Sequence, residues 1–176
     1  MQSPKLNGLL AQLPQVDYER LLPHLQCIHV DKGQVLFHGD EPCMYRYFPT
    51  TCIIAAQVEL TEGGTAEIFL AGDRGLVGIH NLHHKSFYSA VVRKAGFAYR
   101  CTAEVFRSEV LRGEGMFQLM AHITCQLVRE IAQRLVDKTF SSIDQQVVHW
   151  LLNWQMLVCI DPVNSCSGVI VERKHL

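Results

Sequence analysis

The spacing of apolar residues changes along the chain, and each change marks a different kind of element. Over Pro4 to Leu22 they fall at Leu6, Leu9, Leu10 and Leu13, then at Tyr18, Leu21 and Leu22. Steps of three and four place them on one helical face, and Pro14 divides the stretch. Two short helices are expected. From Leu25 to about Cys101 the period falls toward two. Ile28, Val30, Val35 and Phe37 nearly alternate around the turn Asp31-Lys32-Gly33. His38-Gly39-Asp40-Glu41-Pro42 is a second turn cluster. Tyr45, Tyr47 and Phe48 follow, then the apolar run Cys52 to Leu60. Gly63-Gly64 separates that run from Ala66 to Leu70, a hairpin signal. Ala90-Val91-Val92 and Phe97-Ala98-Tyr99 flank Gly96 as further strands. Many short strands divided by Gly and Pro turns predict a mostly β fold, a double-stranded β-helix or jelly-roll barrel with flanking helices.

Helical spacing returns near Ala103, where Val105, Phe106 and Val110 suggest a short helix. After Arg112-Gly113-Glu114-Gly115 a long helix is expected over Met116 to about Phe140, a stretch without Gly or Pro. One line on it runs through Phe117, Met120, Thr124, Leu127, Ile131 and Leu135. A second runs through Met116, Leu119, Ile123, Val128, Ala132 and Val136. A helix apolar on two faces needs two partner surfaces. One would cover the barrel. The other, with Phe117, Met120, Thr124, Leu127 and Ile131, would meet a second copy of the chain as a coiled coil does. Ser142-Ile143-Asp144-Gln145 fits a capping box, predicting a helix from about Ile143 to Leu157. Val169-Ile170-Val171 reads as a strand start that leads into nothing, as in part of a longer design. The expected divisions are N-terminal helices and a β-barrel over 1–112, a dimerisation helix over 113–140 and an incomplete further domain over 141–176.

Composition narrows the functions. The formal net charge is −1 over 176 residues. Gripping DNA phosphates takes a basic surplus, so DNA binding belongs to a local patch or to sequence beyond this chain. The start lacks a basic segment followed by an apolar run, and no apolar stretch approaches the roughly 18 residues of a membrane span. The expected place is the cytoplasm. Seven cysteines without a Cys-x-x-Cys pair read as reduced, mostly buried thiols.

Gly72-Asp73-Arg74-Gly75-Leu76-Val77-Gly78 stands out, a glycine-rich turn after a run of strands. Its amides have the means to cradle an anion, or it is a plain tight turn. His80, His83 and His84 form H-x-x-H-H beyond it, with imidazoles suited to a metal or haem. No paired Cys or carboxylate completes a ligand set there, so exposed loop histidines are expected and no metal site is assigned.

The ordered set resembles the Crp/Fnr family of bacterial transcription regulators. The carrying residues are Lys32 to Asp40, Tyr47-Phe48-Pro49, the strand at Cys52 to Leu60, Glu62-Gly63-Gly64, the 72–78 turn, and Ser142 to Leu152. The resemblance implies a cyclic-nucleotide-binding-like barrel, a dimerisation helix and the first part of a winged-helix domain. It places the 72–78 turn at the phosphate-binding cassette, with Gly72, Asp73, Arg74, Gly75, Val77, Gly78, Tyr88 and Ser89 as pocket candidates. In members that bind cyclic AMP, a Gly-Glu pair takes the ribose and a later Arg the phosphate. Here Gly78 is followed by Ile79, and Tyr88-Ser89 stands where the Arg would be. A buried phosphate without a cation is costly. No cyclic nucleotide is expected, no iron–sulfur cluster is supported by the scattered Cys27 and Cys43, and another small-molecule effector is left open. A homodimer is implied, touching DNA only through a missing C-terminal region. The competing readings are a cupin-like metal enzyme, which lacks His-x-His, and a natural truncation that dimerises with full-length partners. No catalytic residue is assigned.

Overall fold

The computed structural model describes residues 3–61, 63–79 and 85–140, with 142, 144, 145, 147, 148 and 151 beyond them. Two short helices, α1 (Gly8–Gln12) and α2 (Gln15–Leu21), open the fold. Pro14 sits between them as the N-cap of α2, where its missing N–H costs nothing. Seven strands follow: β1 Gln26–Val30, β2 Val35–Phe37, β3 Tyr45–Pro49, β4 Ile53–Glu59, β5 Thr65–Ala71, β6 Ser89–Lys94 and β7 Gly96–Thr102. They form two antiparallel sheets, ordered β1-β7-β3 and β2-β6-β4-β5. The β4–β5 hairpin turns at Gly63 and Gly64, both at positive φ (87° and 91°), a conformation glycine adopts without penalty.

Two cores result from strand alternation. Between the sheets lie Val30, Phe37, Tyr47, Ile54, Phe69, Val77, Tyr88 and Val92. On the opposite face of the three-stranded sheet, Phe48, Tyr99 and Cys101 pack with Leu9, Leu10, Leu21, Phe106 and Met116 from the helices. Helix α3 (Ala103–Arg112) starts at Thr102, whose hydroxyl accepts the Val105 N–H. Gly113 ends it and α4 (Glu114–Phe140) begins. Asp17, Arg20 and Glu109 form a largely buried charge network joining α2 to α3. Glu109 hydrogen-bonded to the Arg20 guanidinium holds that group's pKa above its ordinary value.

Past α4, Ser142 and Gln145 make the expected capping box. The Ser142 N–H donates to Gln145 Oε1 (3.0 Å) and the Gln145 N–H to Ser142 Oγ (3.4 Å). The expected strand at Val169 to Val171 and most of the 141–176 segment lie outside the described residues. No helix among the described residues is long and apolar enough to cross a membrane.

Candidate functional site

The 72–78 turn is fixed from three sides. Within it, the Gly75 N–H donates to Gly72 O (2.8 Å). Gly75 is required by crowding, because a Cβ there would lie 2.8 Å from Ala71 Cβ. Val77 and Tyr47 exchange backbone hydrogen bonds at 2.9 and 3.0 Å, tying the turn to β3. The N-terminal helix holds it from above. Asn7 is fully buried and caps α1 with its Oδ1, which accepts from Leu9 and Leu10 N–H. Its Nδ2 donates to Pro49 O (2.8 Å) and Gly75 O (3.0 Å), and the Gly8 N–H donates to Asp73 O (2.7 Å). One short side chain thus satisfies a helix end, a strand end and the turn.

Of the pocket candidates, Arg74 is exposed, while Gly72, Val77 and Gly78 are buried. Burial pushes the Asp73 carboxyl up, against the pull of neighbouring Arg74. Gly78 has φ +97°, and a Cβ on it would lie 2.9 Å from Tyr45 O and 3.1 Å from Cys43 Sγ. Its N–H points at Tyr88, whose phenol oxygen accepts it at 3.1 Å. Tyr88 is 2 % exposed and packs among Phe37 and Phe69. Desolvation raises its pKa well above the usual tyrosine value, with the Gly78 amide opposing, so it stays a neutral phenol. Ser89 Oγ accepts the Gly39 N–H at 2.8 Å and is spent on that turn. Sequence reasoning brought Tyr88 and Gly78 to the same region, but the bond between them has no sequence signal.

Two further residues near the turn escaped sequence reasoning. Asn7 reads as an ordinary helix cap. Arg46, on β3, is 1 % exposed, and its guanidinium donates to Cys43 O (3.0 Å) and Tyr45 O (3.4 Å). Arg93 is held by Gln57 Oε1 (2.8 Å) and Glu67 Oε2 (3.4 Å), and it alternates away from the inward Ala90 and Val92. His80, His83 and His84 lie outside the described residues. His38 is exposed, and among the described residues no three His, Cys, Asp or Glu gather as metal ligands. Cys43, Cys52 and Cys101 are buried free thiols. Burial pushes Cys52 up to about 11 and Cys101 to about 12, which keeps both protonated and unreactive.

The α4 positions divide by face. Met116, Leu119 and Ile123 are buried on the helical core, and Met120 packs beside them. Leu127 packs on the barrel core. Phe117 is 63 % exposed and Ile131 43 %, and Thr124 is exposed as well. Met120 and Leu127, expected at the seam with these three, are partly buried against their own chain. Val128 and Leu135 are exposed. Positions 116, 119, 120, 123 and 127 share one helical face, so each line drawn from spacing alone mixed two faces.

No family profile and no curated sequence matches the chain. Solved structures do. A protein from Eubacterium rectale assigned to the Crp/Fnr regulators superposes with TM-score 0.71 at 13% identity, over 86% of this chain and 72% of that one. The c-di-GMP-responsive global regulator CLP of Xanthomonas campestris gives 0.66 at 11% identity, over 80% and 72%. FixK2 of Bradyrhizobium japonicum gives 0.68 at 12%, over 75% and 66%. The chain shares the fold of these Crp/Fnr-type structures. A cyclic-nucleotide-binding domain from Methylobacillus flagellatus shares it as well, at TM-score 0.61. In this Crp/Fnr-like fold the 72–78 turn lies between β5 and β6, braced against β3 and α1.

Proposed function

We propose that this chain is the sensor and dimerisation part of a Crp/Fnr-type transcription regulator whose cassette does not take a cyclic nucleotide. The Gly78–Tyr88 contact carries the reading. The turn's positive-φ glycine spends its amide on a phenol of the same barrel. Of the cations near the turn, Arg74 is exposed, Arg46 is buried and donates to the carbonyls of Cys43 and Tyr45, and Arg93 is held by Glu67 and Gln57. A cyclic phosphate at Gly78 would displace the phenol and would reach Arg46 only at the cost of the hydrogen bonds that guanidinium gives to backbone.

Dimerisation is supported by the open stripe of α4. Phe117, Ala121, Thr124, Val128, Ile131 and Leu135 are exposed and follow steps of four and three. That is the seam of a two-stranded coiled coil. Thr124 donates its hydroxyl to Met120 O (2.9 Å), so it enters an apolar seam without an unmet hydrogen bond. Two of the solved structures named above are described as regulators.

Calorimetry with cyclic AMP and cyclic GMP tests the cassette; no binding at micromolar concentrations is expected, and micromolar binding of either sinks the reading. Light scattering tests the seam. The chain is expected to run as a dimer and Ile131→Glu as a monomer. In a gel shift at physiological salt the chain alone is expected to show only non-specific DNA binding.

A further inference from the structure

Toward one end of the barrel, across β3 from the 72–78 turn, another arginine is held differently. Arg100 lies on β7, with Gln26 of β1 and Tyr47 of β3 directly opposite it on either side. Tyr47 belongs to the barrel core, as does Ala98, two residues before Arg100 on the same strand. Strand alternation therefore puts Arg100 on the inward face, not the helix-covered one. Its guanidinium lies over the Tyr45 ring, 4.2 Å from the centroid. Its Nε donates to Gln26 Oε1 at 3.0 Å. It also hydrogen-bonds the buried Tyr47 phenol, opposing the upward push of burial on that group. Arg100 is neither buried nor fully exposed, and no ion pair among the described residues joins it to a carboxylate.

An amide, a phenol and an aromatic face orient this cation without neutralising it. A planar guanidinium fixed in this way presents N–H donors suited to a carboxylate. One cation does not balance a dianionic phosphate monoester in a half-buried place, so a monoanion is the better match, and a carboxylate fits the planar guanidinium fork. Tyr45, beneath it, and Ile28, two residues along β1 from Gln26, are partly buried and packed on the barrel core.

We propose that this end of the barrel binds a small monocarboxylate with an apolar body, the carboxylate on Arg100 and the body against Tyr45 and the barrel core. The proposal rests on the sensor reading above and names the chemical class of its effector. The test titrates the full chain with benzoate and hexanoate, followed by amide NMR, with benzamide as the uncharged counterpart of benzoate. At least one carboxylate is expected to bind in the millimolar range or tighter and to shift β1 and β7 amides. Loss of a charge-assisted pair predicts that benzamide, and either probe on Arg100→Gln, binds about tenfold or more weakly. Arg100→Lys keeps part of the affinity, and Arg93→Gln, on the outer face, keeps all of it. No shift with either carboxylate at high millimolar concentration overturns the proposal, as does equal affinity in a folded Arg100→Gln chain. A chain that dimerises, ignores cyclic AMP and also ignores both carboxylates refutes this site alone. Cyclic AMP binding refutes the sensor reading beneath it.

Discussion

Arg46 and Arg100 stand on neighbouring strands of one sheet, one register step apart, and face opposite ways. Arg46 is opposite Cys101 and Arg100 opposite Tyr47. Arg46 is closed off from water and spends donors on the carbonyls of its own turn. Arg100 rests on a ring at the barrel's end, still partly open. The same residue type serves structure on one face and recognition on the other. The difference is one of surroundings: a sealed guanidinium has given its directional bonds to backbone, whereas a propped one keeps them for a ligand. The 72–78 turn belongs with Arg46. It looks like an anion cradle by composition, yet its last amide, Gly78, is closed by Tyr88.

Removing Arg46 is the most severe way to break this contrast. Arg46→Ala leaves a cavity and two carbonyls short of donors, and is expected to cost about 4 kcal/mol in urea unfolding. A loss below about 1 kcal/mol would put Arg46 level with an ordinary surface residue and erase the contrast. Next comes alkaline pH, which probes the buried thiols on both faces. Cys52 ionises near 9.0 when unfolded and near 11 when folded. Above pH 9 the unfolded chain therefore holds fewer protons than the native one, and stability falls as pH rises. Its contribution, about 3 kcal/mol, is present below pH 9 and gone above pH 11, with Cys101 adding in the same direction. Denaturation midpoints at pH 8 and pH 11 check this.

Asn7→Ala is expected to cost about 2 kcal/mol, since it removes a helix cap and the donor to two carbonyls together. The turn should loosen with it, read as faster amide exchange at Gly75 and Val77. Tyr88→Phe keeps the ring against Phe37 and Phe69 and loses only the bond to Gly78, at about 1 kcal/mol. It is also expected to leave cyclic AMP unbound, because freeing the amide does not release Arg46 from the carbonyls it bonds. Gain of binding would show that the phenol alone had closed the cassette. Arg100→Gln sits at the small end, within about 0.5 kcal/mol of the parent, because a part-exposed stack on Tyr45 contributes little to folding.

Local signals made much of the fold legible. Alternation marked the strands, Gly63-Gly64 and Asp31-Lys32-Gly33 the turns, Pro14 and Gly113 the helix breaks, and Ser142 with Gln145 the cap. Each works over a few residues, through backbone sterics or a short-range hydrogen bond, so it is written in consecutive positions. The 72–78 turn was legible as a turn for the same reason. Its occupant was not, because Tyr88 reaches Gly78 only once β6 has paired beside β4.

By itself the sequence determined the order of elements, the two-sheet barrel, the long helix and the position of the glycine-rich turn. The tertiary structure decided which face each residue occupies. It set Met120 and Leu127 against the chain's own cores and left Val128 and Leu135 open beside Phe117 and Ile131. It also turned Arg46 inward to backbone and Arg100 into the barrel. Periodicity fixes that two faces differ, but burial is a property of what packs against them, and the partners here come from strands and helices far apart in the chain.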